Sequence, residues 1–217
     1  MYALELDGSK RPCRVRTSNA GQCLWTGIAS DEHARAIAQS LFGGDLFSGW
    51  GIRTVGASEA RYNPMSYHDG SIWPHDNALI GDGLARYELK EGTLRILESF
   101  LEASRFFDIH RLPELFCGFP RRPGAGPTLY PVACAPQSWA AGAIFLLLQS
   151  CLGLSIDASK HQVRFIRPAL PESIEVVEIK DLQVGRASVD ISLTRYPQDV
   201  GINVVHREGR VEVVVVK

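Results

Sequence analysis

The 217-residue sequence has no CxxC pair among its five cysteines and no HExxH. It also has no apolar run long enough to cross a bilayer and no excess of either charge. Each absence removes a class of function. A formal net charge of -1 gives no electrostatic reason to expect nucleic acid or an anionic membrane as a partner. Cys13, Cys23, Cys117, Cys134 and Cys151 are odd in number and widely spaced. Without metal spacing they read as reduced thiols, and the expected location is cytoplasmic. The start, "MYALELDGSKRPCRV", lacks a charged segment followed by an apolar run, so it is not expected to be a signal peptide. The longest apolar stretch, "WAAGAIFLLL" from Trp139 to Leu148, falls short of the roughly 20 residues a transmembrane helix needs and reads as a buried helix.

What is present divides by period. From about Thr17 to Gly153 the pattern is helical with long connections. "SNAGQCLWTGI" and "DEHARAIAQSLF" predict two helices joined by a short turn, the second capped by Ser30 or Asp31. "DNALIGDGLARYEL" sets Leu79, Ile80, Leu84 and Tyr87 near one face, with Asp76 as its N-terminal cap, and "EGTLRILESFLEASRFF" repeats the amphipathic logic. The segment Gln137 to Leu152 is apolar nearly all round, so protein is expected on every side of it. After Gly153 five stretches, among them "QVRFIRPAL", "ASVDISLTRY" and "RVEVVVVK", alternate polar with β-branched residues and predict a small antiparallel β-sandwich. The expected domains are residues 1–154 and 155–217.

Two connections, Gly43 to His75 and Ile109 to Pro136, exceed the roughly 12–15 residues beyond which an unstructured link is usually functional or disordered. Their aromatic content argues for a folded binding face. The densest chemistry is "SYHDGSIWPHD". His68, Asp69, His75 and Asp76 are ligand types, but their spacing fixes no two on one helix face, so no metal is assigned. His68 and His75 read better as structural hydrogen-bonding residues that steady the loop. A sugar offers an apolar ring face and a rim of hydroxyls, and this stretch supplies aromatic and polar groups together. In "RLPELFCGFPRR", Glu114 lies among Leu112, Leu115, Phe116 and Phe119. Packed inward, it would have a raised pKa and serve as a base. Otherwise it is an exposed loop residue or a partner of Arg111, Arg121 or Arg122.

"YNPMSYHDGSIWPHDNALIGDGLARY", followed by "RLPELFCGFPRR" and "YPVACAPQSWAAGA", resembles the C-terminal half of the amylo-α-1,6-glucosidase or glycogen-debranching-like family, among the six-hairpin glycosidases. The three blocks occur in that family's order, and the resemblance runs from about Ser18 to Leu154. It implies a mainly α chain forming part of an (α/α)6 toroid, followed by the β region. It also implies inverting hydrolysis of an α-glucan or α-glucoside without a cofactor, with Glu114 as general base. Tyr67 and Trp73 are then sugar platforms, and His68 and Asp69 contact hydroxyls. His75, Gln137 and Trp139 complete the substrate-binding set. The chain shows about five helices, against about twelve for a closed ring. The general acid is therefore expected upstream of Met1 and not at Asp69 or Asp76. The missing barrel half is expected in cis or in trans, or a homo-oligomer covers the exposed helices. A non-catalytic carbohydrate-binding or assembly module is the alternative.

Overall fold

The computed structural model describes residues 2–217. A two-strand hairpin, β1 (Glu5–Leu6) with β2 (Pro12–Cys13), leads into helices α1 (Asn19–Trp25) and α2 (Asp31–Leu41). A long connection reaches α3 (Pro74–Arg86) and α4 (Lys90–Ser104), and a second, containing a short 3-10 turn at Asp108–His110, reaches α5 (Ser138–Leu152). The chain forms two compact units, one ending at Leu147 and the other starting at Leu148, so α5 belongs to both.

Local chemistry explains the helix starts. Ser30 caps α2, its Oγ accepting from the His33 N–H. Pro74 opens α3, where the missing N–H and fixed φ suit the first turn. Asp76 is therefore inside the helix and is not its cap. Trp73 takes the cap position, without a side-chain cap bond. Ile80 and Leu84 of α3 are fully buried, each contributing about 1.5–3 kcal/mol by leaving water. α3 packs against both α1 and α4. The α1 approach is so close that a Cβ on Gly83 would fall 2.4 Å from the Trp25 backbone nitrogen, which only glycine permits.

In the second unit, β3 (Leu154–Asp157), β4 (Gln162–Ile166) and β8 (Glu212–Val216) form one sheet. The other holds β5 (Val176–Val184), β6 (Ala187–Tyr196) and β7 (Asp199–Glu208) in sequential order. Alternate β6 residues, Val189, Ile191 and Leu193, join Val163 and Phe165 of β4 in one core.

The expected fold class is corrected by these elements. Among the described residues, five α-helices share the chain with three sheets, so the protein is not mainly α, and its helices do not make a toroid. The β region is not wholly antiparallel either. β4 pairs with β8 in parallel, because the chain passes through the whole β5–β7 sheet before returning. The apolar α5 is not covered all round: Ala140, Ala143, Leu147 and Cys151 are buried, but Phe145 is 74% and Trp139 47% exposed. No helix among the described residues is long and apolar enough to cross a membrane.

Candidate functional site

The two long connections pair with each other through isolated β-bridges. Ile72 and Phe116 exchange backbone hydrogen bonds at 2.9 and 3.1 Å. Ile72 also bridges Arg53, and Phe116 bridges Leu129. Extended chain alternates its side chains, so Leu115 and Glu114 point to opposite faces. Pro113 and Leu115 line a recess of about 530 Å³ together with Phe107, Leu129 and Tyr130, whereas Glu114 does not line it.

Glu114 turns instead toward the "SYHDGSIWPHD" loop. Its side chain is buried, with the residue 8% exposed. Oε1 accepts from the Tyr67 hydroxyl at 2.6 Å, and Oε2 accepts from the Cys134 N–H at 3.2 Å. The Glu114 N–H donates to the Cys134 carbonyl at 2.9 Å. None of Arg111, Arg121 and Arg122 pairs with Glu114, and Arg121 is bound to Glu102. The Tyr67 bond, then the Cys134 N–H, lower the Glu114 pKa, and they outweigh the opposing effect of burial. The sequence-based expectation of a raised pKa had counted desolvation without these donors. The same bond pushes Tyr67 up to about 12.

Rings surround this pair. Tyr67 meets His68, Trp73 and Tyr130 edge-on, with centroids at 4.7, 4.8 and 5.6 Å. His68 is exposed and lies nearly parallel to Trp73 at 5.9 Å. His75 stands between Trp73 and Trp139, at 5.6 and 5.0 Å. Trp73 itself is 8% exposed, its Nε1 donating to Ser71 Oγ and to the Tyr67 carbonyl. Thus Tyr67, His68, Trp73, His75, Trp139 and Glu114 come together. Asp69 stands in a local turn with Ser66, whose Oγ accepts from the Asp69 N–H. Gln137 precedes α5, its carbonyl accepting from Ala141.

Several residues that build the site carried no signal in the sequence pattern, because they work through backbone groups. Arg53 is 3% exposed and donates to the carbonyls of Gly118, Gly44 and Asp45. The Tyr62 hydroxyl shares the Gly118 carbonyl. Gly118 touches the Gly70 carbonyl so closely that a Cβ would fall 1.7 Å from that oxygen. Asn77 on α3 brackets Ile52, accepting its N–H and donating to its carbonyl. Asp76 accepts from Gln22 at 2.6 Å, while its Oδ2 and His75 Nδ1 are buried without a well-formed hydrogen bond. Burial pushes the Asp76 pKa up, against smaller opposing contributions from Ser18, Gln22 and His75. Among the described residues no group of three potential ligands is arranged to hold a metal.

The family comparison concerns the chain up to Arg111, which includes Tyr67, His68, Trp73 and His75 but neither Glu114 nor Trp139. Residues 2–111 match the mannosylglycerate hydrolase MGH1-like glycoside hydrolase domain, and the chain belongs to that family. This supports the six-hairpin glycosidase resemblance and does not single out amylo-α-1,6-glucosidase.

Among solved structures the chain is similar to the GH63 mannosylglycerate hydrolase of Thermus thermophilus. The complex with Tris gives 19% identity and a TM-score of 0.51 over 64% of this chain and 30% of that one. The complex with Tris and D-glycerate gives 20% identity and a TM-score of 0.50 over 64% and 31%. At this identity the likeness is one of fold. The chain spans about 30% of the length of these structures. No match was found among curated proteins.

Proposed function

We propose that the chain supplies the base side of an inverting α-glycosidase site, with Glu114 as the general base. The observation that supports this most is the buried, ionised Glu114 carboxylate held at 2.6 Å by Tyr67 inside the ring cluster. Each carboxylate oxygen has a second lone pair besides the one used in these bonds. Glu114 therefore accepts a proton from a water as that water attacks the anomeric carbon, on the face opposite the departing group. His68, Asp69, His75 and Gln137 supply hydroxyl contacts, the exposed Trp139 ring packs against the sugar ring, and the buried Trp73 and the Tyr67 ring back the cluster.

The general acid that protonates the leaving oxygen comes from the remainder of the enzyme, in a longer chain or a second polypeptide. That remainder covers the exposed Phe145 on α5. A chain about 30% as long as its solved relatives leaves ample protein for this role. The proposed substrate is an α-glucoside, in particular the α-1,6-linked glucose of a branched glucan. The family description adds a glycosylglycerate to the panel worth assaying. Among the described residues the five cysteines form no disulfide with one another, which suits a cytoplasmic setting.

The test is hydrolysis of α-1,6- and α-1,4-glucosides and of mannosylglycerate by the enzyme carrying its remaining portion, comparing wild type with Glu114→Gln. Loss of a base costs roughly 10²–10⁴-fold in kcat. Undiminished turnover in Glu114→Gln would sink the assignment. Sugar binding by the wild type with no turnover in any arrangement would favour a carbohydrate-binding module, for which the exposed His68 and Trp139 rings argue.

A further inference from the structure

We infer that Tyr67 is a positioning residue for Glu114: its hydroxyl and the Cys134 N–H occupy one oxygen each, fixing the carboxylate's rotamer. The inference rests on the reading of Glu114 as the base, and it assigns Tyr67 a task other than stacking on sugar. Three observations carry it. The first is the pair of bonds themselves, 2.6 Å to Oε1 and 3.2 Å to Oε2.

The second is that neither donor is free to leave. The Tyr67 ring is wedged edge-on among His68, Trp73 and Tyr130. The Tyr67 carbonyl also accepts from Ser71 Oγ at 2.6 Å and from Trp73 Nε1 at 3.2 Å, which fixes the backbone that carries the ring. On the other side, the Cys134 peptide grips Glu114 twice, its N–H bonding the side chain and its carbonyl bonding the Glu114 N–H.

The third is electrostatic. A phenol donates only while protonated, and a carboxylate accepts best while ionised, so a charge-assisted bond between them stabilises both states at once. The groups that face Glu114 are Tyr67 and His75 from one side and Cys134 from the other, with Tyr130 behind Tyr67. Glu114 is lowered and Tyr67 is raised, the opposite displacements that one shared bond produces. The consequence for catalysis is a base that stays competent to a lower pH than an ordinary glutamate, with Tyr67 setting the acid limb.

The full chain, labelled with ¹³C at tyrosine Cζ and glutamate Cδ, is titrated by NMR as wild type, Tyr67→Phe and Glu114→Gln. One of the six tyrosine signals is expected to titrate near 12 in the wild type and to be missing in Tyr67→Phe. In Glu114→Gln that signal moves down toward 10, and in Tyr67→Phe the Glu114 midpoint moves up. A late tyrosine unmoved by Glu114→Gln, or a Glu114 midpoint unmoved by Tyr67→Phe, overturns the inference. If Glu114→Gln unfolds at high pH, the glutamate titration of Tyr67→Phe decides alone. None of these readings needs turnover. Both shifts in an enzyme whose turnover ignores Glu114 would keep the coupling and retire the base assignment, and Glu114-dependent turnover without the shifts would do the reverse.

Discussion

Two acidic residues of the same unit are displaced in opposite directions, because hydrogen-bond donors dominate at Glu114 and burial dominates at Asp76. Glu114 meets two donors and is held low, whereas Asp76 has one oxygen bonded to Gln22 and the other buried without a well-formed bond. For Asp76 the folded pKa lies above the unfolded value of 3.8, so the folded state binds the extra proton. Its contribution to stability is present below that value and is lost as pH rises through the folded pKa. Asp76→Asn keeps the acceptor for Gln22 and removes the buried charge. It is expected to raise stability at neutral pH by roughly 1–3 kcal/mol, with little gain in acid. Urea denaturation of both proteins at neutral and at acid pH checks this, and an equal effect at both would refute it. For Glu114 the sign is reversed. Its contribution is present above the ordinary glutamate value and lost as pH falls through the lowered pKa, so Glu114→Gln should flatten the acid side of the stability profile.

The decisive structural device at the scale of elements is the pairing of two irregular connections. Their lengths marked them as functional, and their aromatic residues marked them as folded. Neither signal contained the bridges from Arg53 to Ile72 and from Ile72 to Phe116, which set Glu114 beside Tyr67. Gly118 and Gly70 allow these segments to touch, and Arg53 ties Gly118 of the second to Gly44 and Asp45 of the first through their carbonyls. Gly118→Ala places a methyl on the Gly70 carbonyl, so the segments must separate. A loss of about 3 kcal/mol or more is expected, with the late tyrosine titration abolished. Thermal unfolding and the tyrosine signal measure the two effects. Helix positions were legible because capping and the 3.6-residue period are local: Ser30 and the burial of Ile80 and Leu84 follow from them. The role of Asp76 was misread because Pro74 starts α3 two residues before it.

For the molecule as a whole, an apolar helix was expected to be enclosed, and α5 instead shows Phe145 and Trp139 to solvent. Phe145→Ser should leave stability within about 0.5 kcal/mol, because an exposed side chain loses little burial. It should, however, weaken association of the chain with itself or with the proposed remainder of the enzyme, as read by sedimentation velocity. Association unaffected by this change would place the partner elsewhere.

The sequence by itself determined the positions of the helices and most strands and the family-level resemblance, since these depend on local periodicity and on side-chain type. The tertiary structure decided that the chain is a mixture of helices and sheets, that β4 and β8 run parallel, and that Glu114 lies in the grip of Tyr67 and Cys134. Those outcomes rest on strand pairings and backbone donors brought together from positions far apart in the chain. A backbone N–H or carbonyl is the same in every residue type, so nothing in the order of side chains announced them.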